Sequence, residues 1–173
     1  MIQPSISGFN DHRHGLGHEH AYLLPKLARE LQALQFIPKR AFDLGCGNGF
    51  VANWLSELGF ASPLVISLEV IEHVYAPRTF AACVHDLLEP GGHALISTPY
   101  HGYLKNLAIA AAGRMDDHFT ALWDHGHITF WSRKTIIQLL AETRLVVERI
   151  HRLGRVPALA KSMLVVARRP DEP

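Results

Sequence analysis

Two cysteines in 173 residues, Cys46 and Cys83, are too few for a disulfide framework and suit a reducing cytoplasm. Net charge is equally scarce. Seventeen Lys and Arg stand against 16 Asp and Glu, which gives no electrostatic reason to expect nucleic acid or an anionic membrane as partner. No apolar run approaches the ~18 residues of a membrane span. The opening "MIQPSISGFNDHRHG" has neither the basic start nor the apolar stretch of a signal peptide. Repeats, low-complexity tracts and an interdomain linker are also missing, so residues 1–173 read as one domain, long enough to bury about 70% of the unfolded surface. What is abundant is apolar residues, at 48%, and histidine, with 12. His12, His14, His18 and His20 crowd the first 20 residues beside Glu19, a density that suits a solvated, mobile arm or a metal-binding one.

Leucines 24, 27, 31 and 34 recur at steps of three and four, predicting an amphipathic helix over 22–35. The run "RAFDLG", 40–45, stops at glycine as a buried strand does. Phe50, Val51, Trp54, Leu55 and Leu58 mark a helix closed by Gly59. "PLVISLEV" reads as a strand, and Pro77 opens a helix with Phe80, Val84 and Leu87 on one face. After the "EPGG" turn comes the strand "HALIST", 93–98. Residues 101–131 are irregular apart from a short helix at 105–112, and Ser132 caps a helix running to about Thr143. "LVVERI" and "SMLVVAR" close the chain as two strands. This alternation implies a Rossmann-like α/β fold. Its mainly parallel sheet carries helices on both faces and ends in an antiparallel strand pair, with ligands at the strands' C-terminal ends.

"FDLGCGNGF" joins the first strand to the next helix, with glycines at 45, 47 and 49. Glycine allows positive φ and lets a ligand approach the backbone without meeting a Cβ. A pyrophosphate loop would prefer G-x-G-x-x-G, and Phe50 holds the position of its third glycine. The spacing favours a nucleoside-type ligand without pyrophosphate; the alternative is a tight turn with no ligand.

"FDLGCGNG", "ISLEVIEHV" and "LLEPGGHALISTP" together resemble class I S-adenosylmethionine-dependent methyltransferases, and most of all the branch of ubiquinone-pathway O-methyltransferases. "HGHITFWS", 125–132, and the terminal strands are similar to that branch too. The resemblance covers most of residues 20–168. It implies a seven-stranded sheet with an antiparallel last strand, and S-adenosylmethionine lying over the glycine loop. Gly45, Gly47 and Gly49 would line its methionine and ribose, with Cys46 packing inside that loop. Asp43 would act through water or hold the loop, and Leu68 would pack near the adenine.

Between the helix ending near Leu58 and "PLVISLEV", the resemblance calls for two more strands and two helices. The second strand should end in an acid that binds the ribose hydroxyls. Only Gly59, Phe60, Ala61 and Ser62 intervene, whereas one βαβ unit needs ~30 residues. Either strand 63–70 keeps its family place and leaves "RAFDLG" as an exposed edge suited to homodimer pairing, or it fills the vacant second place. In the second case Glu69, 20 residues beyond Gly49, falls where a ribose-binding acid belongs. The downstream motifs favour the first arrangement.

Methyl transfer is an in-line displacement at a sulfonium, so the enzyme chiefly aligns acceptor and methyl group. A hydroxyl acceptor also gains from a base or a metal. Glu69, Glu72 and His73 lie at i, i+3 and i+4, one face if the segment is helical. They are the candidate ligands of a divalent metal, by the resemblance as well as by their chemistry; the alternative is that Glu69 meets the cofactor while the other two stabilise a helix start. His101, just after "STPY", is the first candidate for general base, with His73 as a second catalytic candidate; a solvated loop histidine is the alternative. His125 and His127, among Trp123, Phe130 and Trp131, suit a lid over an aromatic acceptor or a packed turn.

These features point to a cytoplasmic enzyme without a membrane span or nucleic-acid partner, transferring methyl from S-adenosylmethionine to a small molecule, with a phenol- or quinol-like oxygen as acceptor. A non-catalytic remnant of the same fold and a histidine-rich metal-binding protein are the other readings. The short 59–62 connection favours the first of these two, and the histidine count the second.

Overall fold

The computed structural model describes residues 20–34, 39–46, 51–52, 55, 61–119, 121–124 and 126–171. Residues 1–19 of the histidine-rich arm, Gly47, Gly49 and His125 lie outside them.

The chain runs α1 (His20–Ala33), β1 (Lys39–Asp43), β2 (Ala61–Leu68), a 3-10 turn (Ile71–His73), α2 (Pro77–Leu87), β3 (His93–Pro99), α3 (Tyr103–Ala111), α4 (Met115–Phe119), α5 (Arg133–Glu142), β4 (Val146–Leu153), a second 3-10 turn (Pro157–Leu159) and β5 (Ser162–Arg168). The strands form one sheet in the order β1-β2-β3-β5-β4. β1, β2 and β3 pair in parallel, and β5 runs antiparallel to both β3 and β4. This is the mixed, mainly parallel sheet with a closing antiparallel pair that the alternating elements imply.

Each sheet face has its own core, because side chains alternate along a strand. Leu64, Ile66, Leu95 and Leu164 turn toward α1, meeting Leu23, Leu27, Leu31 and Leu34. Val65, Ala94, Ile96 and Val165 turn the other way, against Val84 of α2 and Ile136 and Leu140 of α5. Ser132 caps α5 as its position predicts. Its hydroxyl accepts from Thr135 N, while Thr135 Oγ1 accepts from Ser132 N at 3.0 Å, forming a reciprocal capping box.

The sheet order answers the question raised by the short connection. β2 lies between β1 and β3, so it keeps the place that the resemblance implies, and Glu69 does not end a second strand on the far side of β1. Among the described residues β1 is an edge. The two successive crossovers step the same way across the sheet, yet over opposite faces. Val51 and Leu55, between β1 and β2, belong to the α1 core, whereas α2, between β2 and β3, packs on the other. They are therefore of opposite hand, and one departs from the right-handed rule that parallel crossovers obey in about 98% of cases.

Two local expectations change. "PLVISLEV" is not extended to its end: β2 stops at Leu68, and Glu69 adopts left-handed backbone, φ 54°. Glu69 and the 71–73 turn consequently share no helical face. Between α3 and α5 the chain forms α4, although no helix after residue 112 is expected before Ser132.

Candidate active site

On the cofactor side, β1 ends at Asp43 and the loop is stitched to β2. Leu44 N donates to Ile66 O at 2.8 Å, and Ser67 Oγ to Leu44 O at 3.0 Å. Gly45 follows at φ 82°, and both it and Cys46 are exposed at the strand ends. A Cβ on Gly45 would stand 2.4 Å from Val70 Cγ2, so glycine is demanded here by packing as well as by φ. Leu68 is half-buried against the α1 core. Open backbone at the C-terminal ends of two parallel strands fits the methionine and ribose side of S-adenosylmethionine. No second-strand acid flanks β1 among the described residues.

Glu69 turns toward β3 and β5. Its Oε1 accepts from Ser97 Oγ at 2.8 Å and its Oε2 from Ser162 Oγ at 3.5 Å, while its N–H meets Ser97 at 3.1 Å. Ser162 Oγ is in turn 3.1 Å from the Tyr22 hydroxyl of α1. Lys105, a buried cation of α3, donates to Tyr100 O at 2.8 Å, and burial holds its pKa down against the pull of Glu69. Left-handed backbone on a non-glycine residue at a strand's functional end is the kind of strain that clusters at sites.

Glu72, three residues on, faces a different neighbourhood. It is 1% exposed; Oε2 accepts from Thr98 Oγ1 at 3.0 Å and Oε1 has no hydrogen-bond partner. Burial, reinforced by the charge of Glu69, pushes its pKa up to about 8. His73 lies beside it, with Nε2 3.9 Å from Glu72 Oε1, and the His127 ring is 4.9 Å from the His73 ring. The segment bearing His127 is tied down, since Ile128 N and Thr129 N both donate to Glu72 O at 2.9 and 3.0 Å. Burial, with His73, His118 and Lys105 nearby, lowers the His127 pKa to about 4.

His101 follows β3 by two residues, at the strand end where an acceptor is expected. Its backbone N–H donates to Trp131 O at 3.1 Å. The ring is 8% exposed, and neither nitrogen has a hydrogen bond of normal geometry. Around it stand His118 at 5.4 Å, Phe119 stacked at 6.0 Å and Phe130 edge-on at 4.9 Å. Burial, then the charge of Lys105 and the neighbouring His118 and His127, pushes its pKa down to about 4, so the imidazole is neutral at pH 7. The structure thus puts Gly45 after β1 and His101 after β3 at the same end of the sheet, groups Glu72 with His73 and His127, and holds the Glu69 carboxylate on Ser97 and Ser162 instead. His118 carries no sequence signal, because "MDDHF" reads as an ordinary solvated stretch.

The family described as "Methyltransferase domain" matches residues 63–150. Over 62 residues the chain is 43% identical to a ubiquinone biosynthesis O-methyltransferase of Ruegeria pomeroyi, a match covering 36% of this chain and 25% of that protein. The chain therefore matches about a quarter of that curated relative's length. An S-adenosylmethionine-dependent methyltransferase from Mesorhizobium loti has a similar fold, with a TM-score of 0.66 at 19% identity over 88% of this chain and 100% of that one. So does the 1,6-didemethyltoxoflavin-N1-methyltransferase of Burkholderia thailandensis, solved with its acceptor and S-adenosylhomocysteine, at TM-score 0.61 and 15% identity over 88% and 80% of the two chains. At such identities the structures speak for the fold. With the family match running over more than half of its length on that fold, this chain belongs to the methyltransferase-domain family.

Proposed function

We propose that this chain transfers the methyl group of S-adenosylmethionine to oxygen of a phenol- or quinol-like small molecule, with His101 as the base. The observation that carries this reading is the buried, neutral His101 ring, held at the end of β3 among aromatic rings with Asn106 as its polar neighbour and neither nitrogen in a hydrogen bond of normal geometry. The bound cofactor supplies an electrophilic methyl on a sulfonium. Gly45 and Cys46 hold its approach open; Phe119 and Phe130 give a flat acceptor apolar and edge-on contacts. A base with a pKa near 4 would be too weak to ionise a free phenol. It suffices for a proton that becomes strongly acidic as the new C–O bond forms, and its low basicity keeps it unprotonated. A divalent cation beside Glu72 and His73 would ease the same proton loss. The O-methyltransferase relative supports oxygen as the acceptor atom. Exposed free thiols at Cys46 and Cys83 support a cytoplasmic location, and the β1 edge supports self-pairing.

The test is calorimetric binding of S-adenosylhomocysteine to the chain, followed by turnover of a panel of phenols and catechols. His101→Gln is expected to keep cofactor affinity and lose at least a hundredfold in kcat, within the range for a positioned base. A folded chain without cofactor affinity would sink the enzymatic reading and leave the remnant fold.

A further inference from the structure

At the start of α3 we infer an anion subsite in which Lys105 is the counter-ion of an oxyanion on the aromatic acceptor, either a ring carboxylate or the ionised phenol itself. The inference rests on the acceptor lying beside His101, and it adds the charge which that acceptor carries. Lys105 is 9% exposed, and a cation so buried is normally paired. Its ammonium has three N–H donors. Tyr100 O takes one at 2.8 Å, and Lys161 O, which already accepts from Tyr100 N, takes another at 3.4 Å. The third has no partner, and no carboxylate forms an ion pair with Nζ, among the described residues. Glu69, the acid whose charge reaches Lys105, is held by Ser97 and Ser162, and Lys161 adds like charge. Two carbonyl dipoles do not neutralise a buried ammonium, so an anion is what this position lacks.

The groups around Lys105 want for partners as well. His101, four positions earlier, is 8% exposed with neither ring nitrogen in a hydrogen bond of normal geometry, and Asn106 Oδ1 and His118 Nε2 are buried in the same condition. The charge of Lys105 is felt at both histidines, whose rings stand 5.4 Å apart. Burial and that charge keep the two imidazoles neutral, so each retains one N–H to donate. A half-turn of the Asn106 amide presents its NH₂ in place of its oxygen. Buried polar atoms without partners are costly, and several in one place mark a site that a ligand completes. A cation there would be repelled by Lys105, and an apolar group would leave the ammonium and the imidazoles unsatisfied. An oxyanion accepts from all of them. Phe119 and Phe130, edge-on to each other at 4.9 Å and both against His101, supply the apolar contact for the ring that bears it.

The test is calorimetric titration of the full chain, with and without S-adenosylhomocysteine. Benzoate is compared with its neutral isostere benzamide, and 4-nitrophenol with 4-nitroanisole in mildly alkaline buffer, where the nitrophenol is ionised. At least one anion should bind about tenfold or more tighter than its neutral counterpart, as a hydrogen bond to a charged group implies. Benzoate doing so identifies a ring carboxylate; nitrophenolate alone identifies the phenol oxygen. Lys105→Met should abolish the preference for charge while leaving affinity for the neutral ligand, a change that a merely structural lysine would not produce. His118→Ala, on the half-buried side of α4, should reduce it. Equal affinity for the charged and neutral members of both pairs, or an anion preference that survives Lys105→Met, would overturn the inference. The comparison on the native chain decides the matter should Lys105→Met fold poorly. An anion preference in a chain that methylates nothing would remove the proposed reaction and leave the subsite standing. Methylation of neutral phenols at a rate unchanged by Lys105→Met would do the reverse.

Discussion

Gly45 and Val70 pack so closely that a Cβ on the glycine would lie 2.4 Å from Val70 Cγ2 and 3.1 Å from Cγ1. The loop after β1 and the turn after β2 are thereby locked together at the cofactor side of the sheet. Gly45→Ala adds two costs, a left-handed backbone at φ 82° and a steric clash. The backbone cost alone is roughly 1–3 kcal/mol. Val70→Ala removes the clash but not the backbone cost. Urea denaturation of the two single variants and the double variant should show the double to be more stable than the sum of the singles. Strict additivity would mean that the loop moves away from Val70 freely.

Most of the fold was legible because its punctuation is local. Pro77 starts α2, Ser132 caps α5, and the glycines at 91 and 92 turn the chain into β3. The periodic leucines of α1 found their face, although Leu23 is the fully buried one while Leu24 is half-buried. The site was less legible because its decisive facts are not local. No residue type announces that Glu69 leaves β2 in left-handed backbone; the two serines that hold it come from positions 97 and 162. Helical spacing grouped Glu69 with Glu72, and a non-helical turn separated them. His127 was visible as a lid candidate, yet its approach to His73 depends on a loop returning to the Glu72 carbonyl. His101 was readable because its place follows from a strand end, which sequence does mark.

The buried His101 ring makes stability depend on pH in a direction fixed by its environment. An unfolded imidazole takes its proton near pH 6.5, whereas the folded ring, with Lys105, His118 and His127 facing it and Asn106 as a polar neighbour, takes one only near 4. Between those values the unfolded state holds the extra proton, so this group's contribution is intact above 6.5 and shrinks as pH falls toward 4. The slope for one proton is about 1.4 kcal/mol per pH unit. Urea denaturation at pH values from 4.5 to 7 should therefore show the native chain losing stability on acidification faster than His101→Gln, by up to that slope. Parallel profiles for the two proteins would show that the ring is protonated as easily folded as unfolded.

The last consequence concerns β1, where no strand pairs with the outer side among the described residues. Phe42 stands opposite the fully buried Val65 in register, yet is itself 36% exposed. An open edge with an apolar side chain is a template for another strand, and the strand's own sequence favours a second copy of itself. In a two-fold antiparallel pair centred on Ala41, "KRAFD" places Lys39 opposite Asp43 and Arg40 opposite Phe42, matching opposite charges at both ends. Sedimentation equilibrium should find dimers of the native chain at micromolar concentration. Lys39→Glu, which sets a like charge against Asp43, and Phe42→Lys, which charges the edge, should each shift the chain toward monomer with unchanged circular dichroism. A native chain that sediments as a monomer throughout that range would show that β1 does not serve as a dimer edge.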